Sequence, residues 1–174
     1  MHFLLALVLL VWMQGGRAAA CDGAQNTTAW LSAVAREADA TSFAQLGWNF
    51  STNTTSKLFL HDPCKELWPR VGCNATTGCL VGLNLSYLPL LHRQLPPSVF
   101  TLSSLQSLDA RKSGLTSWSA AAGNLSQALS LARLDLAHND LPDLPSTLYD
   151  ATALTYLNLS KNKINATLSS AIGV

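Results

Sequence analysis

Charge is scarce in this chain. Lys, Arg, Asp and Glu make up 12% of its 174 residues, eleven basic against ten acidic, with a formal net charge of +1. No run of like charge exceeds the Arg111–Lys112 pair. Nucleic acid and anionic membrane surfaces both demand a concentrated basic patch, so neither is expected as a principal partner. Long apolar runs are almost absent too. The exception is Phe3–Met13, eleven residues, well short of the ~20 needed to span a bilayer. Four cysteines are present, Cys21, Cys64, Cys73 and Cys79, with no Cys-x-x-Cys pair to begin a zinc site. Gly-x-Ser-x-Gly, phosphate-binding glycine loops and His-Glu-x-x-His are missing. His61-Asp62 is the one His–acid neighbour pair, and His92 and His138 stand alone. No catalytic set, metal or cofactor is expected, which points away from an enzyme.

What the chain does contain begins with an export signal. Phe3–Met13 is followed by Gln14-Gly15-Gly16-Arg17 and then Ala18-Ala19-Ala20, a small-x-small site that predicts cleavage after Ala20. A lipoprotein cysteine at Cys21 is the rival reading, but that signal prefers a Leu-like residue where Ala18 stands. The even number of cysteines suits an oxidising compartment. Asparagine usage points the same way. Ten asparagines occur, and eight open an Asn-x-Ser/Thr sequon: Asn26, Asn49, Asn53, Asn74, Asn84, Asn124, Asn158 and Asn165. Ser and Thr together number 32 of 174 residues, so chance would place about two of the ten in sequons. A secreted or extracellular glycoprotein is the expectation, or a cell-surface one if the chain belongs to a longer transmembrane protein.

Four Leu-x-x-Leu-x-Leu blocks then align. They are Leu80–Leu85, Leu105–Ala110, Leu131–Leu136 and Leu154–Leu159, spaced by 25, 26 and 23 residues. That period lies within the ~20–29 residues of leucine-rich repeats. Each block predicts a short parallel strand whose leucines point into a coil and whose intervening residues face solvent. Asn139 and Asn162 occupy the position where a buried amide bonds the backbone of the adjacent turn. The second repeat is degenerate, with Ala110 and Ser113 in place of Leu and Asn, and its Ser117–Ala122 stretch predicts a looser turn.

The register also predicts a concave face. Positions three, five and seven of the blocks are Gly82, Asn84 and Ser86; Ser107, Asp109 and Arg111; Arg133, Asp135 and Ala137; and Tyr156, Asn158 and Ser160. Tyr87, Lys112, His138 and Lys161 flank them. Asp109, Arg111, Arg133, Asp135 and Tyr156 form the candidate ligand-binding set, because charged and aromatic groups mixed on one face suit recognition. Any exposed strand face is polar, which is the plain alternative. Glycans on Asn84 and Asn158 would bracket the middle two repeats.

Residues 21–79 do not repeat. Thr28–Ala38 predicts a helix, with Trp30, Val34 and Ala38 on one face. Residues 49–56 predict an exposed glycosylated loop, and Asn74 a position in a flexible cap. The cysteines allow three pairings. Pro63-Cys64-Lys65-Glu66-Leu67-Trp68-Pro69-Arg70-Val71-Gly72-Cys73, followed by Gly78-Cys79-Leu80-Val81-Gly82-Leu83-Asn84-Leu85, resembles the N-terminal cap of plant-type leucine-rich-repeat proteins. Leu95-Pro96-Pro97-Ser98-Val99-Phe100 resembles the Ile-Pro-x-x-Leu turn of their repeats. The resemblance implies an α/β solenoid, a leucine-rich-repeat coil with a parallel concave sheet and a disulfide-bonded helical N-terminal cap. It implies Cys64–Cys73 closing a loop around Trp68, which leaves Cys21–Cys79.

The expected organisation is a signal peptide over 1–20, a cap over 21–79 and about four repeats over 80–174, the last uncapped. Members of this family serve as receptor-kinase ectodomains, receptor-like proteins and secreted inhibitors of foreign hydrolases. The expected function is an extracellular recognition module for a protein, peptide or glycan ligand, the N-terminal part of a receptor-like ectodomain. A secreted hydrolase inhibitor and a structural matrix or cell-wall glycoprotein are the alternatives. Self-association through the uncapped last repeat is a further expectation.

Overall fold

The computed structural model describes residues 47–48, 62–90, 92–95, 97–118 and 122–165. Among the described residues five short strands form one sheet in chain order: β1 (Val71–Cys73), β2 (Leu80–Asn84), β3 (Ser107–Asp109), β4 (Arg133–Asp135) and β5 (Tyr156–Asn158). β2 to β5 are parallel, in a register that places Leu83, Leu108, Leu134 and Leu157 side by side. Three 3-10 segments return the chain on the opposite side: η1 (Pro97–Thr101), η2 (Ala122–Gln127) and η3 (Ser146–Asp150). A period of 23–26 residues spends most of its length on the strand and two bends. The return leg holds only a turn or two, and short 3-10 pieces satisfy it.

Leucines fill the space between these layers. Leu85, Leu105, Leu108, Leu131, Leu134 and Leu136 are fully buried, and each such side chain stabilises the fold by roughly 1.5–3 kcal/mol. The last described repeat is covered less. Leu154, Leu157, Leu159 and Ile164 are partly exposed and pack against the core from one side.

Buried amides fasten one turn of the coil to the next. Asn139 Nδ2 donates to the carbonyls of Ala110 and Leu136, both at 2.9 Å, while its Oδ1 accepts from the N–H of Ser113 and of Leu115. Asn162 repeats the arrangement one turn later, donating to Leu136 O and Leu159 O and accepting from Leu141 N. In the degenerate repeat the Ser113 hydroxyl donates to Leu85 O at 2.7 Å. Ala110 and Ser113 are buried and the packing there is closed. Residues 119–121 of the expected looser turn lie outside the described residues.

The sheet departs from the expected all-parallel form at its start, because β1 runs antiparallel to β2. A hairpin turn explains the reversal. Asn74 Oδ1 accepts from the N–H of Thr76 and Thr77, Gly78 takes a left-handed φ of 69°, and Asn74 and Cys79 pair through their backbones. Asn74 therefore sits in a hydrogen-bonded turn rather than a loose cap loop. Gly72 faces Gly82 across the two strands, where a Cβ on Gly72 would meet the Gly82 Cα at 3.3 Å.

Cys64 and Cys73 form a disulfide, with Cα atoms 5.7 Å apart. Inside the loop it closes, Trp68 is buried against Trp48, ring centroids 5.6 Å apart, and Trp48 Nε1 donates to Pro69 O. Cys79 is also disulfide-bonded; the expected partner, Cys21, lies outside the described residues. So does the expected Thr28–Ala38 helix. The described part of residues 21–79 consists of turns and β1, with no α-helix.

Candidate functional site

The strand register sorts the concave face into rows that cross the repeats. Gly82, Ser107, Arg133 and Tyr156 make the first, and Asn84, Asp109, Asp135 and Asn158 the second. Backbone hydrogen bonds continue the ladder past the strand ends, from Tyr87 N to Arg111 O, Lys112 N to Ala137 O and His138 N to Ser160 O. A third row, Ser86, Arg111, Ala137 and Ser160, and a rim row, Tyr87, Lys112, His138 and Lys161, follow from it.

The second row has a structural task in every repeat. The side-chain oxygen of Asn84, Asp109, Asp135 or Asn158 accepts the backbone N–H two residues on, at 2.9, 3.1, 3.2 and 3.1 Å. These are Asx turns, which explains why only Asn or Asp stands there. All four rim residues then adopt a left-handed φ, between 52° and 62°. The fourfold recurrence of Asn/Asp at position five was the readable sign of this turn.

Two of the Asx residues are aspartates, and arginines gather on them. Arg111 grips Asp109 with two bonds, Nε to Oδ1 at 3.0 Å and Nη2 to Oδ2 at 2.7 Å. That hydrogen bond, and then the charge of Asp109, raises the Arg111 pKa further. Asp135 is the buried member, its side chain 2% exposed. Its Oδ2 accepts from Asn158 Nδ2 at 3.3 Å and lies 3.5 Å from Arg133 Nη2 and 3.9 Å from Arg111 Nε. The Arg133 guanidinium stacks 3.6 Å over the Tyr156 ring. The structure brings all five candidate residues, Asp109, Arg111, Arg133, Asp135 and Tyr156, into one group on β3 to β5 and the turn after β3. Their accessibility differs. Arg111 and Arg133 remain nearly half exposed, whereas Asp135 is covered beneath the arginines it pairs with. Ser86 and Ala137, expected on the open face, are buried.

Among the sequon asparagines, Asn84 and Asn158 end strands, Asn74 caps the hairpin, and Asn165 is exposed beyond β5. Asn124 lies in η2; Asn26, Asn49 and Asn53 fall outside the described residues. Asp62, of the His–acid pair, accepts the N–H of Cys64 and Lys65 as a turn cap. Its neighbour His61 is outside the described residues. Among the described residues no group of three or more His, Cys, Asp or Glu is placed to hold a metal ion, and no helix is long and apolar enough to cross a membrane.

Residues 153–174 match the family described as Leucine Rich Repeat. No curated protein matches the sequence significantly. Among solved structures, a plant ice-binding protein superposes with TM-score 0.57 at 25% identity, over 80% of this chain and 41% of that one. PEPR1-AtPEP1 superposes with TM-score 0.59 at 25% identity, over 79% of this chain and 18% of that one. The LRR ectodomain of the receptor kinase SOBIR1 from Arabidopsis thaliana gives TM-score 0.47 at 21% identity, over 74% and 70% of the two chains. The chain thus spans less than half the length of the first two. The repeat match over residues 153–174, the parallel strands with their buried asparagine fastenings, and the first two likenesses give the described residues a leucine-rich-repeat fold, similar to that of these plant structures.

Proposed function

We propose that the chain is an extracellular recognition module that binds a protein or peptide ligand through its concave face, as the N-terminal part of a receptor-like ectodomain. One observation carries the reading: Arg111 and Arg133, each about half exposed, are oriented by Asp109 and Asp135 beside the Tyr156 ring. Arginines fixed in this way offer directional donors at little further cost in side-chain entropy. The likeness to PEPR1-AtPEP1 supports a partner on this fold, and the cap resembles that of plant-type leucine-rich-repeat proteins, among which receptor ectodomains are one class. Export with cleavage after Ala20, a cap over 21–79 and repeats over 80–174 belong to the same proposal. So do extracellular placement and glycans at the eight sequons, with self-association at the last repeat as a secondary mode.

The test compares Arg133→Glu with Lys163→Glu for capture of a partner by the full chain. Lys163 is 70% exposed and pairs with Asp140 away from the candidate group. Selective loss with Arg133→Glu supports the reading. Equal capture by both variants moves the function off the concave face, and the structural-glycoprotein alternative then leads.

A further inference from the structure

Lys112, His138 and Lys161 hold the same rim position on three consecutive turns of the coil, and all three are exposed. Adjacent strands lie roughly 4.8 Å apart, so the two lysines, two strands apart, stand about 10 Å apart at the backbone. Among the described residues neither lysine forms an ion pair, whereas Lys65, Arg93 and Lys163 each do. The nearby acids are already engaged, Asp109 with Arg111 and Asp135 with Arg133 and Arg111. Lys112 Nζ lies 5.1 Å over the Tyr87 ring, a contact that positions the ammonium without neutralising it.

The geometry points to a docking rim for an acidic peptide segment of a partner protein, its carboxylates set on Lys112, His138 and Lys161. The inference rests on the recognition reading above and names the ligand's polarity. A peptide in the polyproline II form advances about 3.1 Å per residue with three residues per turn, so acids three residues apart share one face about 9 Å apart and match the spacing of the two lysines. A continuous polyanion fits less well. Three rim positions fall short of the roughly six to ten contacts such ligands use.

His138 makes the rim pH-dependent. Desolvation, and then the charges of Lys161, Lys112 and Arg111, lower its pKa against the opposing pull of Asp135. A carboxylate seated beside it offsets those cations, so binding draws in a proton and strengthens as the pH falls.

The probe is a fluorescent hexapeptide carrying two glutamates three residues apart, titrated into the full chain at low ionic strength. Its glutamine counterpart and an oligogalacturonate are run beside it. The glutamate peptide is expected to bind at least about tenfold more tightly than the glutamine form. Lys112→Glu/Lys161→Glu is expected to weaken it on the order of tenfold, exposed charges being individually weak, and Lys163→Glu to leave it unchanged. Binding at pH 5.5 is expected to exceed that at pH 7.5, with His138→Gln removing the difference. Equal binding of both peptides overturns the inference, as does an unaffected double variant or preference for the oligogalacturonate. If Arg133→Glu abolishes partner capture while the rim variants do not, the rim inference fails and the recognition reading stands.

Discussion

The backbone N–H of Ser113 donates to Asn139 Oδ1 at 3.1 Å, while the Ser113 hydroxyl reaches 2.7 Å to Leu85 O on the preceding turn. Ser113 is thus both held by the regular asparagine of the next repeat and a shorter replacement for it. Asn139 and Asn162, at the same position of the next two repeats, both donate to a carbonyl and accept N–H groups of the preceding turn. Serine keeps the donation, to Leu85 O, and has no amide oxygen to accept. The coil is fastened continuously across the repeat whose sequence matches worst.

Two substitutions separate these roles. Asn139→Ala strips partners from two buried N–H groups and two carbonyls, and is expected to cost about 2–4 kcal/mol. Ser113→Ala loses one donor and is expected to cost about 1–2 kcal/mol. Chemical denaturation of both variants checks the order. Equal losses would mean that the asparagine ladder is not what joins the turns.

The disulfide between Cys64 and Cys73 closes a short loop, with a sequence separation of 9. Restricting that loop in the unfolded chain contributes roughly 2–3 kcal/mol. Cys64→Ser/Cys73→Ser is expected to lower stability by that amount, read from the urea midpoint. An unchanged midpoint contradicts it.

Gly72 and Gly82 let β1 and β2 approach closely, since a Cβ at either position meets the other glycine's backbone at 3.3–3.5 Å. Gly72→Val is expected to splay this pair and cost about 1–3 kcal/mol, as overpacking does. Amide exchange at Asn84, whose N–H bonds Arg70 O, reads the splaying locally. Protection equal to that of the parent chain excludes it.

Acidification tests His138 without a ligand. Its folded pKa is lowered, first by desolvation and then by Lys161 and Lys112. The unfolded imidazole, titrating near ~6.5, therefore takes up its proton first as pH falls. This contribution to stability is full above that pH and declines below it, levelling once the folded imidazole is protonated too. The Tm of the parent chain is expected to fall more between pH 7.5 and 5 than that of His138→Gln. Identical falls contradict it.

The solenoid was legible because its signal is repetitive: the leucines at positions one, four and six mark the strands, and Asn139 and Asn162 mark the fastenings. Position five was readable only in part. Its Asn or Asp looked like a ligand-facing polar residue, while the fourfold recurrence belongs to an Asx turn that shapes the rim. The burial of Asp135 was not legible, since it follows from Arg111, Arg133 and Asn158 converging from two neighbouring repeats and its own. Nor was the direction of β1, which depends on the turn built by Asn74 and Gly78 rather than on apolar alternation.

The most direct measurement of the central claim is the affinity of a captured partner for the full chain carrying Arg111→Glu/Arg133→Glu, set against Lys163→Glu. All three proteins are first shown by circular dichroism to be folded. A recognition face centred on the arginines predicts a loss of at least about 2 kcal/mol for the double variant, if the ligand desolvates the pair, and under about 0.5 kcal/mol for the control. Equal affinities for the double variant and the control would contradict it.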